Sequence, residues 1–438
     1  MNIERDALKK LMQWKENKNR KPLILQGARQ VGKTWLLKEF GKRAFDHVAY
    51  FNFDTQPALK EFFTKTKEPH QIINFLSFLS QRPIKPNETL IVFDEIQECY
   101  EALNSLKYFC EDAPEYFVAC AGSLLGVAMN KGATFPVGKV DFLTIHPLSF
   151  NEYLSVSDDN LLAYLESVNT VEAIPEIFFD SLVKRLKEYF ITGGMPEAVV
   201  SIAEQSDVSL TQTVLQNILN AYTLDFSKHV ASKDIQKIHH IWSSLPSQLS
   251  RENKKFLYQT VKNGARAREY EDALQWLISA GLVHKIYRSA KPSLPISAYD
   301  DLSAFKIYSL DVGILRRLSQ LDPVAISEGN RLFTEFKGAL TENFVLNCLL
   351  RQFETIPRYW ASGNRAELDF LVQYQNEILP VEVKSDENIR SKSMAFYRKE
   401  YAPEISLRYS LRNLKYDNGV LNIPLFMADF TKKLLGIL

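Results

Sequence analysis

Residues 27–34 read GARQVGKT. They follow the apolar stretch PLILQ and open a helix-forming run at Lys33. No other segment constrains the fold as tightly. Two glycines five positions apart let a backbone turn back on itself and aim its N–H groups inward. The helix that follows adds partial positive charge at its N-terminus. Together they make a cradle for phosphate, formed by Gly27, Ala28, Arg29, Gln30, Val31, Gly32, Lys33 and Thr34. In that cradle Lys33 would reach the β- and γ-phosphates of ATP, and Thr34 would hold Mg²⁺. A purely structural glycine turn is the other reading, but it has no need of both flanks.

The surrounding pattern supplies a sheet for the loop. Short apolar strands, PLILQ, VAYFNF, TLIVF and YFVACAG, alternate with helical stretches up to about residue 155. Such alternation implies a parallel sheet with helical crossovers. TLIVFDEIQ ends a buried strand on Asp94, the place for an acid that binds Mg²⁺. Glu95 is then set to orient a water against the γ-phosphate. Ser123 follows the strand YFVACAG and reads either as a sensor of the γ-phosphate or as a turn residue.

Bulk properties exclude little but narrow the setting. Four cysteines, Cys99, Cys110, Cys120 and Cys348, show no metal or disulfide spacing. The charged first twenty residues contain no signal-peptide core, and the longest apolar run is too short to span a bilayer. A cytoplasmic protein with no membrane partner is expected. The overall charge of +1 hides a sharp distribution. Residues 1–43, 251–291 and 384–415 are net basic, while 151–210 is net acidic. Basic segments of this kind form either solvated helix faces or a surface for a polyanion such as DNA or RNA.

Residues 156–250 read as mainly helical, with a turn at TGGMPE. Next comes a helix with Ala273, Leu274, Leu277 and Ile278 on its apolar side, ended by Gly281. Strands LVHKIYR and AFKIYSL complete a winged-helix outline. Lys262, Arg266 and Arg268 lie at the helix start, suiting either phosphate contacts or protein docking. His239 and His240 have no third ligand nearby and read as structural.

The hairpin ELDFLVQYQNEILPVEVKS carries Glu367, Asp369, Glu382 and Lys384 in an apolar setting. Strict alternation places Glu367, Asp369 and Leu371 on one face and Leu368, Phe370 and Val372 on the other. Glu382 and Lys384 share a face. Upstream, Glu342 lies on a helical stripe with Leu346, Leu349 and Phe353, where an acid is costly unless paired or metal-bound. The charges fit a solvated face, a salt-bridge ladder, or a metal site.

GARQVGKT, FDEIQ, HPLSFNEY, GGMPEA, FKIYSLDVGIL, KGALTENFV, ELDF and VEVKS together resemble the AAA-type ATPases of bacteria and archaea that carry an uncharacterised C-terminal module. The resemblance runs nearly the whole length. It implies an α/β multidomain chain: a P-loop ATPase domain over 1–155, a helical region with a winged helix over 156–310, and a PD-(D/E)XK nuclease-like domain over 311–438. In that nuclease fold, Asp369, Glu382 and Glu342 would bind Mg²⁺, and Lys384 would serve the reaction, with Glu367 at the rim. One position departs from the family. Gly138-Lys139 stands where Gly-Arg is usual, and lysine keeps the charge of a sensor or finger without its bidentate fork. An arginine finger from a neighbour would imply a homo-oligomer, but the sequence does not identify that arginine. Two functions follow: an ATPase coupled to a nuclease-like domain, or a nucleotide-driven switch whose C-terminal half binds nucleic acid or protein without cleaving it.

Overall fold

The computed structural model describes residues 3–122, 135–229, 232–251, 254–328, 334–363, 365–385 and 392–438. The chain divides into two compact units. One comprises Ile3–His146 with Ser279–Leu282, and the other Pro147–Ile278 with Val283–Leu438.

The first unit is built on five parallel strands: β1 (Leu23–Gln26), β2 (His47–Asn52), β3 (Thr89–Asp94), β4 (Phe117–Ala121) and β5 (Asp141–Thr144). Their spatial order is β2-β3-β4-β1-β5. Every residue of β3 and β4 is buried, which explains their uninterrupted apolar sequence. Phe53, Phe63 and Phe93 meet edge to face in the core, with ring centroids 5.5–5.7 Å apart. Trp14 anchors the N-terminal helix Asp6–Glu16 between Phe40 and Phe117, and its indole N–H donates to the Lys21 carbonyl at 2.9 Å. The sheet matters because it brings the ends of β1 and β3 to one edge, with β4 between them.

The second unit combines helices with an eight-stranded mixed sheet. Its strands are β6 (Val283–Ser289), β7 (Asp300–Ser309), β8 (Arg358–Ala361), β9 (Glu367–Tyr374), β10 (Glu377–Val383), β11 (Ser406–Ser410), β12 (Lys415–Asp417) and β13 (Val420–Pro424). They lie in the order β12-β13-β11-β10-β9-β8-β6-β7. The expected wing strands form, as the antiparallel pair β6–β7, but they do not stand apart as a winged-helix domain. β6 pairs in parallel with β8 through Arg288 and Tyr359, so the hairpin becomes one end of the larger sheet. That sheet runs straight across residue 310, where the sequence suggested a boundary.

The motifs of this second unit knit it together. Gly194 accepts a hydrogen bond from the Leu148 N–H at 2.6 Å and donates its own N–H to Asp311 at 2.6 Å. Asp311 also caps the following helix at Ile314 N. A Cβ at Gly194 would lie 2.1 Å from the Leu148 carbonyl, so only glycine fits. Asn343 exchanges two hydrogen bonds with the backbone of Ser309, and Asn347 donates to Leu310. HPLSF, GGMP, LDVG and TENFV are thus parts of one interlocked structure. Among the described residues no helix is long and apolar enough to cross a membrane.

Candidate functional site

The phosphate loop has the geometry its sequence demands. Gly27 (φ 144°), Gln30 (φ 64°) and Gly32 (φ 90°) all have positive φ. At Gly27 a Cβ would lie 2.2 Å from the Ile145 carbonyl, so the close approach of β5 requires glycine as well. The helix Lys33–Ala44 starts with no side-chain cap, which leaves its first N–H groups to a ligand. Arg5 braces the loop from behind. Its guanidinium donates to the Val31 carbonyl at 3.2 Å and to the His146 carbonyl at 2.8 Å. The buried Lys33 amine donates to the carbonyls of Gly27 (2.9 Å) and Ala28 (2.7 Å). Burial lowers its pKa to about 8, although Glu95 and Asp94 pull it up.

Across β4, the Thr34 hydroxyl donates to Asp94 Oδ2 at 2.8 Å. The Tyr50 hydroxyl reaches the same oxygen at 2.7 Å. Burial first, then this bond to Asp94, pushes the Tyr50 pKa up to about 12. The next residue, Glu95, has left-handed backbone (φ 51°, ψ 43°), which is rare for a side-chain-bearing residue and is characteristic of functional sites. Its carboxylate accepts a hydrogen bond from Gln97 Nε2 at 2.6 Å. Ser123 lies outside the described residues.

Lys139, which stands where the family's sensor or finger arginine is usual, lies away from the phosphate loop of its own chain. It precedes β5, whereas the phosphate loop follows β1, and the two strands run parallel with Leu23 opposite Asp141 and Gln26 opposite Thr144. Lys139 therefore sits at the other end of the sheet, paired with Glu111 at 2.8 Å.

In the second unit the expected triad does not assemble. Among the described residues no three of His, Cys, Asp and Glu gather closely enough to hold a metal ion. Glu342 is buried and bonds Lys254 through Oε1 and the Tyr308 hydroxyl, at 3.3 Å, through Oε2. Burial raises its pKa, but Lys254 and Lys306 outweigh that and hold it below the usual range. Asp369 accepts from Val383 N at 2.8 Å, and burial with the neighbouring Glu342 raises its pKa to about 8. Glu382 faces Lys384 at 3.2 Å and Arg408 at 3.7 Å on the adjacent strand. Glu367 pairs with the buried Lys306 at 2.5 Å.

The face assignments on β9 also change. Trp360 opposes Leu368 while Arg358 opposes Leu371, so three steps on β9 answer two on β8. This bulge brings Leu368 and Leu371 into one apolar cluster with Trp360 and Tyr397. Phe370 instead packs near Tyr308, with centroids 5.8 Å apart.

Several participants were not anticipated. Tyr50 and Arg5 reach the first site from elements that no motif marks, and Gln97, although it closes the FDEIQ motif, is assigned no role by the sequence. Lys306 did carry a signal: a lysine inside AFKIYSL must be buried and so needs an acid.

An AAA domain family model matches residues 19–154. Models of two domains of unknown function, DUF8612 and DUF4143, match 183–325 and 337–426. No curated protein matches the chain. Similar solved structures include the Walker-type ATPase paby2304 of Pyrococcus abyssi, with 14% identity, TM-score 0.45, and coverage of 73% of this chain and 96% of that one. The Aeropyrum pernix ORC1 protein in complex with DNA has 14% identity, TM-score 0.30, and coverage of 74% and 94%. AMPPCP-bound DnaA from Aquifex aeolicus has 13% identity, TM-score 0.29, and coverage of 63% and 89%. Scores at this level bear on neither chemistry nor partners.

Proposed function

We propose that this chain, whose N-terminal third is an AAA-type P-loop ATPase domain, binds ATP with Mg²⁺ and hydrolyses it. The observation that carries the proposal is the contact of Thr34 with Asp94 at 2.8 Å across an intervening strand, beside the buried Lys33 amine. Two hard oxygen donors at that spacing fit a divalent cation, which would neutralise charge on the β- and γ-phosphates when bound. The chain's own residues do the rest. Loop N–H groups grip the phosphates, and Lys33 exchanges its carbonyl partners for phosphate oxygens. Glu95, oriented by Gln97, is the base for the attacking water. A thermal shift with ATP and Mg²⁺ tests the proposal. At about 100 times its dissociation constant the nucleotide should stabilise the domain by roughly 2.7 kcal/mol. The Lys33→Ala protein should show no shift, and equal shifts in both proteins would refute the assignment.

For the C-terminal half, the nuclease-like reading draws support from Asp369 and the Glu382-Val383-Lys384 run on neighbouring strands. The reading without cleavage is favoured by the pairing of Glu342 with Lys254, since that acid is already engaged by a tethered cation. We therefore take the chain to be a nucleotide-driven switch whose second unit binds nucleic acid or protein. Incubating a DNA and RNA panel with Mg²⁺, with and without ATP, should leave it uncut; cleavage lost in Lys384→Ala would restore the nuclease reading.

A further inference from the structure

We infer that the Lys254 ammonium stands on Glu342 in place of a divalent cation, so that the charged centre of the second unit works without metal. The inference deepens the reading without cleavage given above. Three features carry it.

First, both oxygens of Glu342 are engaged. Lys254 takes Oε1 and the Tyr308 hydroxyl takes Oε2. Second, Lys254 does not arrive by chance. The chain just after it is docked by Phe256 N–H on the Phe305 carbonyl at 2.8 Å, and by a reciprocal pair between Gln248 and Leu257 at 2.8 and 3.0 Å. The lysine side chain is 12% exposed and the Glu342 side chain 8%. A long, flexible ammonium is seldom buried to this degree unless a carboxylate compensates it. Third, the neighbouring acids are already held by tethered cations and a backbone donor, with Lys306 lying among Glu342, Glu367 and Asp369. Glu367 has Lys306, Asp369 has the Val383 N–H, and Glu382 has Lys384 and Arg408. With these amines in place no three acids among the described residues gather closely enough to hold a dication, although Asp369 lies beside Glu342 and would be the second carboxylate for an ion admitted by the loss of Lys254. Unlike a bound ion, a tethered ammonium cannot be lost to chelators.

The test uses the full chain without nucleotide and Mn²⁺ as the probe, read by paramagnetic resonance and by thermal unfolding. At about 1 mM Mn²⁺ the wild type should show no bound ion that Glu342→Gln removes, and EDTA should not move the unfolding temperature of its second unit. Lys254→Met leaves the buried Glu342 carboxylate without its cation. That variant should be less stable, and should acquire one Mn²⁺ with a dissociation constant of about 0.1–1 mM and a rise in unfolding temperature. Adding Glu342→Gln to Lys254→Met should remove the gained Mn²⁺ and recover stability. Mn²⁺ binding by the wild type, abolished by Glu342→Gln, would overturn the inference. So would a Lys254→Met protein that gains no Mn²⁺. If that variant is unfolded in EDTA, refolding on Mn²⁺ supports the inference, and failure to refold overturns it. Nucleic-acid cleavage by a protein that binds no Mn²⁺ would instead refute the reading without cleavage.

Discussion

Raising the pH should weaken ATP binding through Lys33 alone. The Lys33 amine is buried against two backbone carbonyls, and its pKa falls from the usual 10.5 to about 8. Phosphate oxygens would restore the charged form, so binding takes up a proton once the free protein has lost one. The sign follows directly. Affinity is full below about pH 7, where the amine is already charged, and declines as pH rises through about 8. Between pH 7 and 9 the charged fraction falls about tenfold, which corresponds to roughly 1.4 kcal/mol of binding free energy. The nucleotide-free protein should respond in the opposite sense. Its Lys33 sheds a proton that the unfolded chain keeps up to about 10.5, so this group adds roughly 3 kcal/mol of stability between pH 8 and 10.5. Calorimetric titration with ATP and Mg²⁺ in buffers of different ionisation heat measures both the affinity and the proton uptake. Lys33→Arg, whose guanidinium stays charged, should show a flat profile if it binds at all. Flat affinity from pH 7 to 9 in the wild type, with no proton uptake at pH 9, would refute the reasoning.

Glu95→Gln should keep ATP and lose about 10²-fold or more in turnover, measured as phosphate release. Gln97→Ala frees the Glu95 carboxylate and should cost turnover about fivefold with little change in nucleotide affinity, since one hydrogen bond of this kind contributes about 1 kcal/mol. Gly194→Ala drives a methyl to 2.1 Å from the Leu148 carbonyl and should destabilise the second unit by roughly 2–4 kcal/mol in denaturant unfolding, a loss under about 1 kcal/mol being the contrary result. Lys139→Ala should leave ATP affinity of the monomer unchanged, because its partner is Glu111 at the far end of the sheet; a marked loss would mean that the lysine reaches nucleotide after all.

The first site was legible because backbone demands write themselves into sequence. Gly27 and Gly32 sit where φ is positive, and Asp94 ends an apolar strand. Tyr50 was illegible for the opposite reason: a hydrogen bond to a carboxylate asks only for a donor, and nothing local marks which donor the fold will deliver. Gln97 lay in plain view within FDEIQ, but a glutamine two residues on from an acid does not announce which way it turns. Strands β6 and β7 were readable as a hairpin from their alternation. Their membership of an eight-stranded sheet was not, since it depends on β8, some seventy residues on. On β9, alternation failed at one residue, where the bulge re-phased Leu371 against Leu368. The acids of the hairpin were found individually, but their convergence on one ion was an expectation taken from the resemblance. The lysines that prevent it, Lys254 and Lys306, come from segments distant in sequence.

Strand order also dictates what the growing polypeptide exposes during synthesis. When β6 and β7 have been made, the inner edge of β6 has no neighbour until Arg358–Ala361 is translated. At about 5–20 residues per second that interval lasts roughly 3–10 seconds. For that time an apolar hairpin carries an open edge, the kind of surface that recruits a second nascent chain on the same messenger. Slower translation across residues 310–361 would lengthen the exposure, so yield of folded protein should fall when rare codons are placed in that window.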